Sequence, residues 1–349
     1  MARGIHHKQK NTSIIFVYLH KSLTELYGYG DEFFDETVKL DDEELSGSVK
    51  TLVEEYDPHI IHSHNAPDYL TVETLKCVPE RPLIHDVHDS LTMRNTGYTE
   101  DDDENQILNY ATDEKYSCLG SDGLVYVSKI LRDFIVDRYD MENKPELLFP
   151  NYVSKDLIPS EFKERLSSKD GEIHIVYAGT ITSRIKGHHY DLIDIFRKIA
   201  RNGLHIHIYA SREDEAYRSL SSESRYIHYH GHLNQSELMK ELTQYDYGWA
   251  GFNGAKNMEH LDAVLPNKAY EYIACGLPVL TFPHRSLKEF VEKDKVGIVV
   301  KDWELKNKLL LGEELRENVM EKRYDYTIES RIGDLIDFYE KTIDSRVYH

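Results

Sequence analysis

The densest chemistry in this 349-residue chain lies in PNKAYEYIACGLPVLTF, residues 266–282. The pattern reads as a loop entering a helix that closes at Gly276 and leads through Leu277 and Pro278 into an apolar strand. A helix start presents unpaired amides and the positive end of a dipole, so it suits an anion. The amides around Asn267 to Ala269 and the ammonium of Lys268 could hold a diphosphate, while Glu271 could accept hydrogen bonds from a ribose diol. The plainer alternative makes Glu271 a dipole-satisfying surface carboxylate and Gly276 a C-cap.

A second element, YAGTITSRIKGHH at 177–189, ends a strand at Gly179 and continues through Thr180 into a loop with Arg184 and Lys186. Cations beyond a strand end suit a leaving diphosphate, because the developing charge is on phosphate oxygens. An ordinary solvated loop would look the same. In the first half, PLIHDVHDSL at 82–91 ends a strand with His85, Asp86, His88 and Asp89. Strand alternation puts Asp86 and His88 on one face and His85 on the other. A histidine there can bond a sugar hydroxyl, and a neighbouring carboxylate can take a second hydroxyl or fix the ring's tautomer. A satisfied core histidine is the competing explanation. His62 and His64, in IIHSHNAPD at 60–68, would line the same side.

Two histidine sets look like metal ligands: His205 with His207, and His228 with His230 and His232, each spaced by two so that a strand puts the set on one face. No cysteine or carboxylate cluster accompanies them at ligand spacing, and one strand cannot surround an ion tetrahedrally, so no metal is expected. The acidic run EDDDE, Glu100 to Glu104, reads as a solvated face before a helix.

Residues so placed need strands that end where they begin. In the first half, strands are expected at 13–19, 59–62, 82–87, 123–127 and 146–149, with helices at 43–55, 68–76, 104–118 and 129–139. That alternation calls for a parallel sheet covered on both faces. A polar stretch at 153–171 has the Pro, Ser and charge content of a linker. Strands then follow at 172–178, 204–210, 226–229, 247–250, 278–282 and 297–300, with helices at 191–201, 235–242 and 268–275. The expectation is an α/β chain of two Rossmann-like doubly wound domains, 1–152 and 172–327, facing across a cleft. A last helix at 328–349 could pack back on the first domain. Open α/β sheets bind ligands beyond the carboxyl ends of their strands, so the cleft is the expected site. Neither first strand is followed by GxGxxG, which disfavours a nicotinamide or flavin enzyme.

Lys and Arg total 42 against 62 Asp and Glu, a net charge of −20 that repels nucleic-acid backbones. The first 150 residues hold 14 basic and 30 acidic side chains, so most of the acidity belongs there and membrane contact should be weak or indirect. Cys77, Cys118 and Cys275 are odd in number and far apart, which fits a reducing cytoplasm. The apolar run at 14–19 is too short to cross a bilayer, and the first ten residues do not resemble a signal peptide.

In chain order, DPHIIHSHN, PLIHDVHD, SDGLVYVS, LLFPNYV, YAGTITSRIKG, YHGHL, LPNKAYEYIACGLPV and GIVV resemble the family 4 glycosyltransferases with the two-domain GT-B fold. The resemblance implies a retaining, metal-independent transfer of a sugar from a nucleoside diphosphate sugar to a hydroxyl of a glycan or lipid-linked glycan. It implies no further cofactor and a cytoplasmic setting, peripheral to the membrane at most. His88 then matches the histidine that contacts the donor sugar, Lys186 the diphosphate-binding lysine, and Glu271 the ribose-gripping glutamate. Arg184 would share the catalytic role; Gly179, Thr180, Asn267 and Lys268 would serve the nucleotide sugar; His64, Asp86 and Asp89 would lie on the sugar or acceptor side. The chain departs from the family in two places. Thr180 stands where an arginine is frequent, and Ala263 stands eight residues before Glu271, where a second glutamate is frequent. Rival readings are a sugar-nucleotide epimerase or glycosyl phosphorylase on the same fold, and a non-catalytic sugar-nucleotide-binding subunit.

Overall fold

A computed structural model describes the chain apart from residues 65–66, 95–103, 142–143, 302, 304–308, 310–311 and 348–349. The acidic run at 100–104 therefore lies outside the described residues, save Glu104. The chain divides into two compact units, Met1–Pro150 with Arg331–His349, and Asn151–Ser330.

The first unit contains a parallel pair, β1 (Ile15–Tyr18) and β2 (Glu36–Lys39). It also contains a parallel four-stranded sheet of β3 (Ile61–Ser63), β4 (Leu83–Val87), β5 (Gly123–Tyr126) and β6 (Glu146–Leu148), in that order. β4 and β5 are buried along their whole length, as strands covered on both faces must be. Ser128 caps the helix Lys129–Tyr139 by accepting from the Leu131 amide at 3.1 Å. β2 was not foreseen: ETVK offers a single apolar side chain and lies half exposed. The last helix, Ile328–Val347, is tied to this unit from Arg331 onward. Arg346 donates to the carbonyl of Arg81 and to Asp122, both at 2.6 Å.

The second unit holds one six-stranded parallel sheet. Its strands are β7 (His174–Gly179), β8 (His205–Ala210), β9 (Ile227–Gly231), β10 (Tyr247–Trp249), β11 (Val279–Thr281) and β12 (Gly297–Val299). Their order is β12-β11-β10-β7-β8-β9. The chain winds outward from β7 in one direction and then from β10 in the other, so the switch point lies between these two strands, where such sheets bind ligands. Alternation splits β7 between two cores: Val176 and Ala178 pack on one face, Ile175 and Tyr177 on the other. The helix Ile193–Arg201 buries Ile195, Phe196, Ile199 and Ala200, a stripe of helical spacing.

The stretch 153–171, expected as a linker, is instead part of this second unit. Val153 and Ile158 are buried in its core, and the Leu166 amide donates to the Gln244 carbonyl at 3.0 Å. Its polar composition hid an apolar residue every few positions, enough to strap the segment down.

Candidate functional site

Each domain presents its own cluster. In the first, β3 and β4 run side by side with Ser63 opposite His85, which brings His62 and Asp86 together. Asp86 is 2% exposed. One of its oxygens, Oδ2, accepts from His62 Nε2 at 3.2 Å and from His64 Nδ1 at 3.0 Å. The other, Oδ1, lies 3.8 Å from His88 Nε2. Burial raises the Asp86 carboxyl, but the charge of His64 and the two hydrogen bonds outweigh it and hold the group well below the ordinary carboxylate range. For His64, desolvation opposes the charged form and Asp86 outweighs it, so its pKa is raised. His88 is pushed down to about 4 by burial and by His64, whose ring lies 4.0 Å away.

The sequence placed His64, Asp86 and His88 on one side, and the structure brings them together. His85 points away, to Thr71 at 3.1 Å, as alternation requires. Asp89 makes no contact with Asp86 of the kinds that join the others; burial pushes its carboxyl up to about 6, with Arg94 opposing. Tyr339 was missed: its hydroxyl lies 2.6 Å from His62 Nδ1, fixing the ring from the far side. No motif marks a tyrosine that reaches the site from 277 residues downstream.

In the second domain, the helix Asn267–Ala274 starts after Pro266, with no side chain capping its first amides. Lys268, expected to offer its ammonium to a diphosphate at this helix start, is not at the surface. It is 8% exposed and turns inward, with Nζ 3.0 Å from Tyr177 Oη. Its ammonium lies 4.2 Å from the Tyr177 ring centre and 5.0 Å from that of Phe252. Burial lowers its pKa to about 7, with Glu271 opposing. Lys268 also lies against the end of β7: a β-carbon added to Gly179, whose φ is +146°, would meet Nζ at 3.3 Å. The glycine therefore supplies both the backbone conformation and the room.

Glu271 is raised by desolvation, with Lys268 opposing, and accepts a long 3.4 Å hydrogen bond from Gln235. The loop after β7 is less committed. Lys186 is exposed and pairs with Asp194 at 3.0 Å and Asp191 at 3.6 Å, so two carboxylates already meet its charge. Arg184 and Thr180 are exposed as well. The aromatic neighbours of Lys268 carry no sequence signal beyond the apolar runs that contain Tyr177 in β7 and lead from β10 to Phe252.

The two units with parallel sheets match the GT-B fold, although only the second is doubly wound: the first unit's sheet runs β3 to β6 in chain order, with β1 and β2 paired apart from it. Residues 186–325 match the family model described as the Glucosyltransferase 3-like C-terminal domain. No curated protein matches the chain. Among solved structures, sucrose-phosphate synthase from Thermosynechococcus elongatus superposes with a TM-score of 0.72 at 14% identity, over 98% of this chain and 92% of that one. WaaG, a glycosyltransferase involved in lipopolysaccharide biosynthesis, gives 0.66 at 14% identity, over 96% and 94%. Anabaena Alr3699/HepE, solved with UDP, gives 0.65 at 12% identity, over 96% and 94%. The fold is thus the one glycosyltransferases of this type share, as the resemblance implies. Among the described residues, no helix is long and apolar enough to cross a membrane.

Proposed function

We propose that this chain is a retaining glycosyltransferase that moves a sugar from a nucleoside diphosphate sugar to a hydroxyl of a glycan or lipid-linked glycan. The observation that carries the reading is Lys268, buried at an uncapped helix start beside the end of β7, with Glu271 three residues on. An anion arriving there meets a cation and helix-start amides that no side chain caps, in a poorly solvated place where their attraction is strongest.

The helix amides and Lys268 take the charge of the departing diphosphate, and Glu271 holds the ribose hydroxyls. Arg184 and Lys186 approach from the loop, Lys186 exchanging its carboxylate partners for phosphate. The bond from the anomeric carbon to the phosphate oxygen breaks as the bond to the acceptor oxygen forms on the same face. The acceptor proton passes to the leaving phosphate oxygen, so the transfer needs neither a protein nucleophile nor a metal. In the first domain, Asp86 holds the rings of His62 and His64, with His88 beside them, and His88 offers its hydrogen bond to the donor sugar.

The test is a panel of UDP-, GDP- and ADP-sugars with and without glycan acceptors, followed by proton NMR of the product. The reading expects diphosphate release that depends on acceptor and an anomeric configuration that matches the donor's. Epimerised donor, phosphorolysis, or binding without turnover would replace it with one of the rival readings.

A further inference from the structure

Five histidines lie on one face of the second domain's sheet, with His174 and His205 at the starts of their strands, the end opposite Gly179. His174 opens β7, His205 and His207 alternate along β8, and His228 and His230 alternate along β9. The register sets His174 opposite His205 and His207 opposite His228. His174 has no partner at spacing two in its own strand, so only the register between strands brings it into the set. Spacing of two also groups His232 with the set, whereas β9 ends at Gly231 and His232 is exposed.

The rings form two chains. In one, Asp170 meets His174 Nε2 at 3.1 Å, His174 Nδ1 meets His207 Nε2 at 2.9 Å, and His207 Nδ1 meets His230 Nε2 at 2.9 Å. In the other, Glu172 meets His205 Nε2 at 2.5 Å, and His205 Nδ1 meets His228 Nε2 at 2.8 Å. A carboxylate only accepts, so the outer nitrogens of His174 and His205 carry the protons and their inner nitrogens present lone pairs. That is the arrangement of metal-binding histidines, whose far nitrogen is held by a carboxylate. The two chains lie in register, with His174 stacked on His205 at 4.4 Å and His207 on His228 at 4.3 Å. Donor atoms of His174, His205 and His207 all fall within 4.8 Å of one another.

We propose that His174, His205, His207 and His228 form a four-imidazole site for a divalent transition metal of the zinc class, distinct from the nucleotide-sugar site. Imidazole suits this class of ion, and three adjacent strands offer four ligands from one face of the sheet, more than one strand could supply. The ion takes the lone pairs that His174 and His205 already turn inward. The bridging protons on His207 and His228 move to their Nδ1 atoms. That of His207 is then donated to His230 Nε2, and the proton of His230 shifts to its own Nδ1. Every ring stays neutral, and no proton need leave the protein. The parallel rings turn about χ2, a broad torsion, to aim at the ion. His174 and His205 are 4% and 6% exposed, and Asp170 is exposed beside them, so the ion enters from the rim of the sheet.

The test titrates chelator-treated full-length protein with Co²⁺ and Zn²⁺, reading the visible absorption of tetrahedral cobalt, the bound stoichiometry and the thermal midpoint. The expected result is one equivalent per chain, cobalt bands displaced by zinc, and a higher midpoint with metal. His207→Ala should abolish the bands. Glu172→Gln, at the half-exposed rim, keeps the fold and should weaken binding by about 10- to 100-fold. Nucleotide binding without metal should be unchanged in Glu172→Gln, which separates this proposal from the transferase reading. Binding of less than one equivalent, cobalt bands of non-tetrahedral type, or metal held equally by His207→Ala would overturn it and leave the stack as a neutral proton-bonded ladder.

Discussion

The two clusters differ in how far their charges are already answered. Around Asp86, two histidines converge on one oxygen, a third stands near the other, and Tyr339 steadies His62 from behind. Around Lys268, the partners are a phenol, aromatic faces and the charge of Glu271, whose own side-chain hydrogen bond is a long one from Gln235. Burying a charge without a full partner costs stability, and a fold tolerates it where a ligand will complete the set. Under the proposed function, the first domain would position and the second would grip the ligand.

The largest effect should come from emptying the grip. Lys268→Met keeps length and apolar contact but removes the cation. It should cut nucleotide diphosphate affinity by about two orders of magnitude, the scale for losing one partner of a buried charge pair, while leaving unliganded stability equal or higher. Calorimetry and thermal melts read both quantities. Unchanged affinity would place the diphosphate elsewhere and erase the contrast.

Next comes the hub. Asp86→Asn preserves shape but removes the charge on which His62 and His64 converge, and hydrogen bonds to a charged group are worth about 1.5 to 3 kcal/mol each. Turnover should fall about tenfold or more with nucleotide affinity within twofold. A loss of affinity equal to the loss of turnover would show that the hub grips as well as positions.

The third prediction concerns pH. Lys268 is lowered to about 7 when unliganded, and a bound diphosphate favours its protonated form. Affinity should therefore be full below about pH 7 and decline above it, by at most about tenfold per pH unit, with one proton taken up per nucleotide bound. The unliganded domain should move the opposite way. A buried group whose folded pKa lies below its unfolded value leaves more protons on the unfolded chain, so stability rises from about pH 7 toward the ordinary lysine range. Calorimetry in buffers of different ionisation enthalpy counts the protons. A flat affinity between pH 6 and 9 would mean that Lys268 does not meet the phosphate.

The smallest effect belongs to the loop. Lys186 must leave Asp191 and Asp194 to serve a phosphate, so Lys186→Ala should lower turnover several-fold with little change in affinity, and Arg184→Ala less. Equal and negligible effects at both would return the loop to solvated surface.

Much of this was legible in the sequence because parallel strands buried on both faces are short apolar runs, and helices between them repeat at 3.6 residues. The helix Lys129–Tyr139 falls where its pattern put it, and every expected strand lies within about two residues of an observed one. The spacing of Asp86 and His88 settled their shared face, and the Pro-Asn-Lys turn marked the helix start. What escaped was set by tertiary contact. Nothing local tells that Lys268 turns inward onto Tyr177, that Tyr339 reaches His62, or that 153–171 packs down through Val153 and Ile158. The histidine ladder was half seen, because period two along a strand is a sequence property and the register between strands is not.

The most direct test of the central claim is calorimetric titration of UDP, GDP and ADP into the full chain and into Glu271→Gln. If the helix beginning at Asn267 grips a nucleoside diphosphate through Lys268 and Glu271, one of the three binds at one per chain, and the variant weakens it about tenfold or more. No binding by any of them, or a folded variant within twofold of the parent, would contradict the account.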